Sequence, residues 1–452
     1  MPEVKELLRT RSLTRVLRSP LVANLLYTVG GRVAQIALAL LGSIISARTL
    51  GPVEFGRFGL VIAVITICGT LADAGLTYTS VKLLSEYADT NRPKAAAVCR
   101  AYFMLRLLGG TVVAIAGFLL SAPIAKLVLG QDDLTPYLQL AFATLLGLSI
   151  SSYPGMVLVG LERFGRLGLS GVFNAAITVS GIVLLFLVGN LNLGTLIAWN
   201  VILPLLSTLP AWFMLPKGWL PFGSIDPGLR REVMREMVRF TGWMAVSGVG
   251  TIVAGQLDLL LLGRLADPAL VGVYSVALTL ALRLDIVNQS LILVMLPRAS
   301  KLRSRQDMGR YTKRTLLASL MLALLLGFIV LSAQPLITFL YGERYMAAAG
   351  LFMALTPVVL FDLVTSSLFL LALPLKRPVI LAVGDWLRVG LMGMAGWLLI
   401  PPYGGYGAAA ARFLARVIGA IYTFLALRRV PVSNTDAADL DNHVGDPTLW
   451  PP

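Results

Sequence analysis

Residues 47–60 read ARTLGPVEFGRFGL, and residues 263–276, 216 positions later, read GRLADPALVGVYSV. Aligned without gaps, the two stretches are identical at three positions, Arg48 with Arg264, Pro52 with Pro268 and Gly56 with Gly272, and the aromatic Phe58 falls opposite Tyr274. Each stretch separates two long apolar runs. Proline cannot continue a helix interior, and glycine permits both a turn and close contact between helices. The repeat therefore predicts two equivalent helical hairpins.

The composition around these hairpins indicates a membrane protein. Of the 452 residues, 57% are hydrophobic and only 13% are charged, whereas soluble globular proteins carry roughly 25% charged residues. Many apolar runs reach 20 residues or more, about the length that crosses a bilayer as a helix. The chain is thus expected to be an all-α polytopic membrane protein, and a water-soluble enzyme is excluded.

The apolar runs predict about twelve membrane-spanning helices joined by short connections. Their expected ranges are 24–47, 58–81, 101–121, 135–159, 167–188, 194–215, 240–262, 270–296, 315–334, 347–373, 379–400 and 406–427. The expected organisation is a basic N-terminal segment (1–20), an N-lobe with helices 1–6 (21–216), an inter-lobe linker (217–239), a C-lobe with helices 7–12 (240–430) and a disordered tail (431–452).

Basic residues are distributed asymmetrically over the predicted connections. With the N-terminus placed in the cytoplasm, 27 of the 38 Lys and Arg residues fall in inside segments and 5 in outside segments. The N-terminal residues lack the apolar core and small-residue site of a cleavable signal peptide. The asymmetry follows the positive-inside rule and predicts cytoplasmic termini. The net charge of +15 is then explained by an anionic inner leaflet, and nucleic acid is not expected as a partner.

The 216-residue offset also relates the two halves of the chain. It corresponds to six predicted spans, an even number, so both copies cross the membrane in the same direction. Such copies are parallel repeats, related by an axis along the membrane normal. The register continues beyond the hairpins, since Asp73 falls opposite Gln289 and Lys82 opposite Arg298.

The sequences of these stretches resemble those of a known family. ARTLGPVEFGRFGL, followed by ADAGLTYTSVKLLSEY at 72–87, is similar to the start of the bacterial oligosaccharide flippases, and GQLDLLLLGRLADPALVGVYSVAL at 255–278 is similar to their seventh and eighth spans. These proteins form the polysaccharide-biosynthesis branch of a superfamily that also contains multidrug extruders and lipid II flippases. The resemblance covers nearly the whole chain, from residue 20 to about 430.

The resemblance implies a fold and a function. The implied fold has two six-helix bundles facing each other around a central cavity. The implied function is alternating-access transfer of a polyprenyl-diphosphate-linked oligosaccharide from the inner to the outer leaflet of the bacterial cytoplasmic membrane, for cell-surface polysaccharide biosynthesis. The implied partners are this substrate, membrane lipids and other membrane proteins of the polysaccharide pathway.

Ionisable residues within the predicted spans are the candidate functional residues, because each central charge costs roughly 2.5–3.5 kcal/mol to insert. There are eleven of them: Arg32, Asp73, Arg106, Asp258, Arg283, Asp285, Asp362, Asp385, Arg388, Arg412 and Arg416. The planar guanidinium binds phosphate oxygens in pairs and stays charged when partly dehydrated. A cavity lined by Arg32, Arg283, Arg412 and Arg416 would suit a diphosphate headgroup; structural pairing between helices is the alternative.

The remaining charges have open assignments as coupling or cavity-pairing residues. Asp73 would bind a coupling cation or a proton, or pair with a cavity arginine. Asp385 and Arg388 are three apart on one helix and can pair locally. Asp362 has a structural role or forms an ion site. Asp258, near the outer end of its span, and Arg106, near an inner end, would otherwise reach the interface by snorkelling.

Two other functions compete with flipping. A cation-coupled multidrug exporter of the same superfamily would require an acidic, aromatic-lined cavity. The predicted spans here contain six arginines and five aspartates, which does not favour binding of a cation. A membrane enzyme would call for a sizeable external loop with catalytic groups, and the connections are short. The two cysteines and the single histidine, His443 in the tail, predict neither a disulfide framework nor a metal centre. No cofactor and no catalytic residue is expected.

Overall fold

The computed structural model describes residues 20–222, 227–299, 333–369 and 378–428, with separate residues between 317 and 330. The expected N-terminal segment and the expected tail at 431–452 lie outside the described residues. The helices of the first half are α1 (Pro20–Asp73), α2 (Leu76–Tyr87), α3 (Arg92–Leu119), α4 (Thr135–Phe142), α5 (Thr144–Gly160), α6 (Phe164–Leu187) and α7 (Leu193–Phe213). Those of the second half are α8 (Pro227–Leu265), α9 (Pro268–Ala299), α10 (Ala333–Tyr341), α11 (Ala348–Phe369) and α12 (Pro378–Arg428).

The described residues confirm the all-α membrane class. They include eight helices long and apolar enough to cross a membrane. Such helices satisfy their own backbone hydrogen bonds, which the bilayer interior cannot do for them. Two of the eight, 41 and 45 residues long, each contain a non-helical glycine, Gly51 in α1 and Gly404 in α12. The count of twelve spans remains a prediction.

Turn chemistry sets where individual helices begin. The side chain of Asn91 accepts a hydrogen bond from the Lys94 backbone at 3.1 Å, with Pro93 in the first turn of α3. Asn192 and Thr195 form a reciprocal capping box at the start of α7, with both hydrogen bonds at 3.0 Å. Both caps satisfy backbone N–H groups that the first helical turn leaves free.

Successive crossings give the molecule two faces. The hairpin face carries the bend at Gly51, the turn between α8 and α9 at residues 265–268, and the bend at Gly404. The terminal face is the opposite one, where α1 begins at Pro20 and α12 ends at Arg428. The largest buried cluster lies towards the hairpin face and contains residues of both halves, among them Leu60 and Leu262. The two halves are therefore packed together at that face.

The expected inter-lobe linker is partly helical. From Pro227 onwards it forms the first turns of α8. Val233 and Met237 are fully buried in a cluster with Leu84 and Tyr102 of the first half. The amine of Lys94 lies 3.0 Å from Glu232 and 3.3 Å from Glu236. The start of α8 is thus held against the first half before the helix enters the second.

Candidate functional site

A cavity of about 480 Å³ lies between the two halves. It is lined by Gln35, Ile36, Ala39, Ser151, Gly155, Ser170, Gly171, Asn174, Ala175, Thr178, Ser207, Thr208, Ala211, Leu282 and Arg283. Most of these residues belong to α1, α5, α6 and α7, and α9 supplies the last two. Residues 170–178 lie in the middle turns of α6 and residues 207–211 in the last turns of α7. The cavity therefore extends from the middle of the helices towards the terminal face.

Arg283 is the charged residue of this cavity lining. It is half-buried, and within the described part of the chain it has no hydrogen-bond or ion-pair partner. None of the described residues that line the cavity is acidic. A guanidinium placed near mid-membrane without a counter-ion is costly. An anionic ligand in the cavity would supply that counter-ion, and the guanidinium fork suits phosphate oxygens.

Two of the expected site residues fall outside the described side chains. They are Arg32 and Asp285, for which the helix backbone alone is described. Position 32 is one helical turn before Ile36 and two turns before Ala39, so it lies on the cavity face of α1. Arg32 thus remains a candidate for the same site as Arg283.

Arg412 is engaged by a buried carboxylate. Its guanidinium forms an ion pair with Asp258, which is fully buried. The Tyr274 hydroxyl donates a second hydrogen bond to Asp258 at 2.6 Å. Asp258 therefore does not reach the interface, and Arg412, at 6% exposure, lies between α8 and α12 as part of a desolvated polar group.

Arg416 also has a carboxylate beside it. Its Nε atom lies 3.6 Å from Asp362. Arg412, Arg416 and Asp362 line a smaller cavity of about 70 Å³ inside the second half, and Leu282 borders both cavities. The structure therefore does not bring Arg412 and Arg416 to the lining that contains Arg283.

Asp385 and Arg388 form a further pair within the second half. Arg388 donates to Asp385 at 3.2 Å, one turn away on α12. Ser247 and Thr251 of α8 donate to the other carboxylate oxygen at 2.8 and 2.9 Å. The carboxylate thus joins α8 to α12.

Asp73 lies at a break in the path of the second predicted span. α1 ends at Asp73, and Ala74 and Gly75 both have positive φ before α2 starts. Thr77 donates to Asp73 at 2.5 Å, and Arg106 of α3 lies 3.5 Å from the same oxygen. Arg106, at 6% exposure, is buried against this carboxylate rather than extended to the interface.

The repeated stretches of the sequence meet at the hairpin face. A Cβ built on Gly272 would lie 1.8 Å from the carbonyl oxygen of Pro52, and one on Gly56 would lie 2.6 Å from the carbonyl oxygen of Pro268. These two contacts exchange under the 216-residue offset. A Cβ on Gly59 would lie 2.8 Å from Ser275, its own equivalent. The equivalent helices of the repeat therefore touch through their backbones, as small residues allow.

Polar contacts surround this glycine contact, and several cross between the halves. Arg48 donates to the carbonyl of Phe339, and Arg264, its repeat equivalent, donates to the carbonyl of Lys126 at 3.1 Å. The Tyr345 hydroxyl donates to the carbonyl of Ala47 at 2.9 Å. Burial raises the pKa of Tyr345, so its hydroxyl stays protonated. We call the glycine contact and these hydrogen bonds the hairpin-face closure.

Comparison with known proteins assigns the chain to a family. The family described as polysaccharide biosynthesis protein matches residues 21–303. The chain belongs to the polysaccharide biosynthesis protein family. A relative from Escherichia coli strain K12, named lipid III flippase, is 24% identical over 399 residues, which cover 87% of this chain and 94% of that protein.

Solved structures share the fold of this polysaccharide biosynthesis protein. The lipid II flippase MurJ, in an inward closed conformation, matches with a TM-score of 0.70 at 14% identity, over 92% of this chain and 90% of that one. An inward-facing multidrug resistance MATE transporter of the MOP superfamily matches with a TM-score of 0.67 at 16% identity, over 91% and 96%. At these identities the likeness is one of fold.

The uncharged polar residues of this cavity were not predicted from the sequence, because candidate residues were selected by their charge. Ser170, Asn174 and Thr178 are spaced four residues apart and so form one polar stripe on an otherwise apolar helix. That spacing was visible in the sequence. The matching residues of α7, Ser207 and Thr208, are adjacent and give no such pattern.

Proposed function

We propose that this protein is a flippase that moves a polyprenyl-diphosphate-linked oligosaccharide from the cytoplasmic to the outer leaflet of the bacterial inner membrane. Arg283 binds the diphosphate in the cavity between the halves, and the polyprenyl chain stays in the lipid. Arg32, on the same face of α1 as the cavity lining, is the second candidate for the diphosphate. A flippase of this kind serves the synthesis of cell-surface polysaccharide.

The observation that carries this proposal is that Arg283 has no ion-pair partner among the described residues. None of the described residues that line its cavity is acidic, while Asp258 and Asp362 lie beside Arg412 and Arg416. A diphosphate would therefore find one arginine whose charge no described carboxylate neutralises. We assign the neutralised arginines to packing between helices and Arg283 to the headgroup. The family and the name of the Escherichia coli relative agree with a lipid-linked saccharide as substrate.

The sidedness of the cavity supports loading from the cytoplasm. The asymmetry of basic residues predicts that the terminal face is cytoplasmic, and the cavity lies on that side. At the other face the closure between Gly56 and Gly272 separates the cavity from the outside. Rocking of one half against the other would open this closure at the hairpin face and close the cavity at the terminal face. Such a movement is alternating access.

The competing function is export of cationic drugs by cation exchange; the MATE transporter of similar fold is named for multidrug resistance. A cationic drug would need an acidic residue in the cavity to offset its desolvation. The lining residues that the structure describes include no acidic residue, and the charge among them, on Arg283, has the wrong sign. Flipping of an anionic headgroup is therefore the better supported function.

The experiment that tests the proposal measures in which leaflet the lipid-linked oligosaccharide accumulates. The protein is depleted in its host, and a membrane-impermeant sugar-binding probe is applied to intact and inverted vesicles. We expect accumulation on the cytoplasmic side, reversed by wild type and by Arg230→Ala, an exposed arginine of α8, but not by Arg283→Ala. Normal sidedness after depletion, in a host without a second flippase, would reject the proposal.

A further inference from the structure

Part of the cavity lining consists of uncharged polar side chains, which we call the wall. They are Ser170, Asn174 and Thr178 of α6 and Ser207 and Thr208 of α7. The proposed diphosphate site explains Arg283 and leaves these hydroxyl and amide groups without a role. Placing that many polar groups in a membrane cavity is costly unless they find hydrogen-bond partners.

The hydrogen bonds already made by this wall determine what it can still bind. Ser170 donates its hydroxyl proton to the Leu167 carbonyl at 2.8 Å, and Thr178 donates to the Asn174 carbonyl at 2.7 Å. The amide nitrogen of Asn174 donates to the Ser207 hydroxyl at 2.9 Å. The hydroxyl protons of Ser170 and Thr178 and one of the two amide protons of Asn174 are thus engaged within the protein.

These groups retain both acceptors and donors. A hydroxyl that donates its proton keeps acceptor capacity, and the side-chain carbonyl of an asparagine has two lone pairs. Asn174 also keeps its second amide proton, and the Ser207 hydroxyl, which accepts from Asn174, can still donate its own proton. Gln35 repeats the pattern, since its amide nitrogen donates one proton to the Gly168 carbonyl at 3.1 Å. The wall is therefore suited to ligand groups that both donate and accept hydrogen bonds, such as hydroxyl and amide groups.

One further hydroxyl points to a ligand. Thr208 is only 6% exposed, lines the cavity, and its hydroxyl has no hydrogen-bond partner among the residues that the structure describes. A buried hydroxyl without a partner is uncommon and unfavourable. It can donate to or accept from a ligand hydroxyl, and so adds to the same surface.

We infer that this wall binds an uncharged sugar residue, a hexose or N-acetylhexosamine, next to the diphosphate held by Arg283. The hydroxyl and amide protons of the sugar donate to Ser170, Asn174 and Thr178. The cavity volume of about 480 Å³ is within the range of small-ligand sites, about 300–1,000 Å³. This assignment rests on the proposed function and deepens it.

Binding of two probes to the purified, full-length protein tests this inference. The probes are a polyprenyl diphosphate alone and the same lipid carrying N-acetylglucosamine. We expect the sugar-carrying probe to bind about tenfold more tightly than the bare lipid, the value of one or two hydrogen bonds. Asn174→Ala should remove this advantage. Asn200→Ala, on helix α7 and outside the described lining, should keep it.

Equal affinity of wild type for the bare lipid and the sugar-carrying lipid would overturn the inference. Binding of the bare polyprenyl diphosphate, and its loss in Arg283→Ala, tests the proposed diphosphate site separately. Retained binding of that bare lipid also shows that the wall variants are folded.

Discussion

At the scale of single residues, the buried group formed by Asp258, Arg412 and Tyr274 provides a stability test. Asp258 is fully buried and is paired with Arg412. Removing one member of a buried pair leaves an uncompensated charge, which costs about 3–5 kcal/mol. We expect Asp258→Ala to lower the free energy of unfolding by about that amount, and Asp258→Ala with Arg412→Met to recover most of it. Denaturant unfolding in detergent measures both.

A matched control for this test is Asp89→Ala, since Asp89 is exposed and surface changes usually stay within about 0.5 kcal/mol. If Asp258→Ala were as stable as wild type, the pair would not hold α8 to α12. Arg412 would then return to the set of candidates for the diphosphate, together with Arg32 and Arg283.

Single residues also mark the limit of sequence reasoning about the site. The pairing of Asp385 with Arg388 was readable because both lie one turn apart on one helix. The pairing of Asp258 with Arg412 joins residues 154 positions apart, and no spacing rule reaches across helices. The sequence therefore identified which charges lie in the membrane, but the packing of the helices decides which of them are neutralised.

At the scale of helices, the contact between Gly56 and Gly272 tests the hairpin-face closure. A methyl group on Gly272 would lie 1.8 Å from a backbone oxygen, and backbone cannot move aside without separating the helices. We expect Gly272→Ala to keep this face open. The measurement is labelling of Leu60→Cys, which is fully buried in the closed form, by an impermeant maleimide, with Cys68 and Cys99 replaced by serine. Labelling should rise several-fold.

The control for this variant is Gly255→Ala, in the neighbouring helix α8, because a Cβ there meets no atom within 4 Å. Its labelling should equal that of the parent. Size-exclusion profiles of the purified variants separate an open closure from misfolding. Unchanged labelling of a well-folded Gly272→Ala protein would contradict the role given to the glycine contact.

Helices also show which parts of the fold could be predicted. The two Pro/Gly stretches predicted turns between apolar helices, and these appear as the bend at Gly51 and the turn before Pro268. The contact of each stretch with its own repeat could not be foreseen, since periodicity says nothing about which helices become neighbours. The start of α8 at Pro227 was not predicted from the sequence, because the many charges of residues 227–239 are typical of a solvated connection. In the structure Val233 and Met237 of this segment are buried.

At the scale of the whole molecule, the cavity and the closure occupy opposite faces. The cavity with Arg283 lies towards the terminal face, and the contacts of Gly56 and Gly272 lie at the hairpin face. Since each contact of the closure joins the two halves, it must break whenever a ligand leaves through the hairpin face. A flippase thus depends on the closure being reversible.

Fixing the closure should therefore stop transport without affecting binding. Arg48 and Phe339 are both exposed and belong to different halves, and the Arg48 guanidinium contacts the Phe339 carbonyl. We expect that joining Arg48→Cys to Phe339→Cys with a short, reducible bifunctional thiol reagent abolishes flipping in vesicles. Reduction of the reagent should restore flipping, and binding of the lipid diphosphate should persist throughout.

The control pair is Asn190→Cys with Thr195→Cys, which contact each other within the first half. Joining that pair should leave flipping unchanged, because the halves remain free to move. Flipping that survived quantitative joining of Arg48→Cys to Phe339→Cys would rule out opening of this face as a step of transport.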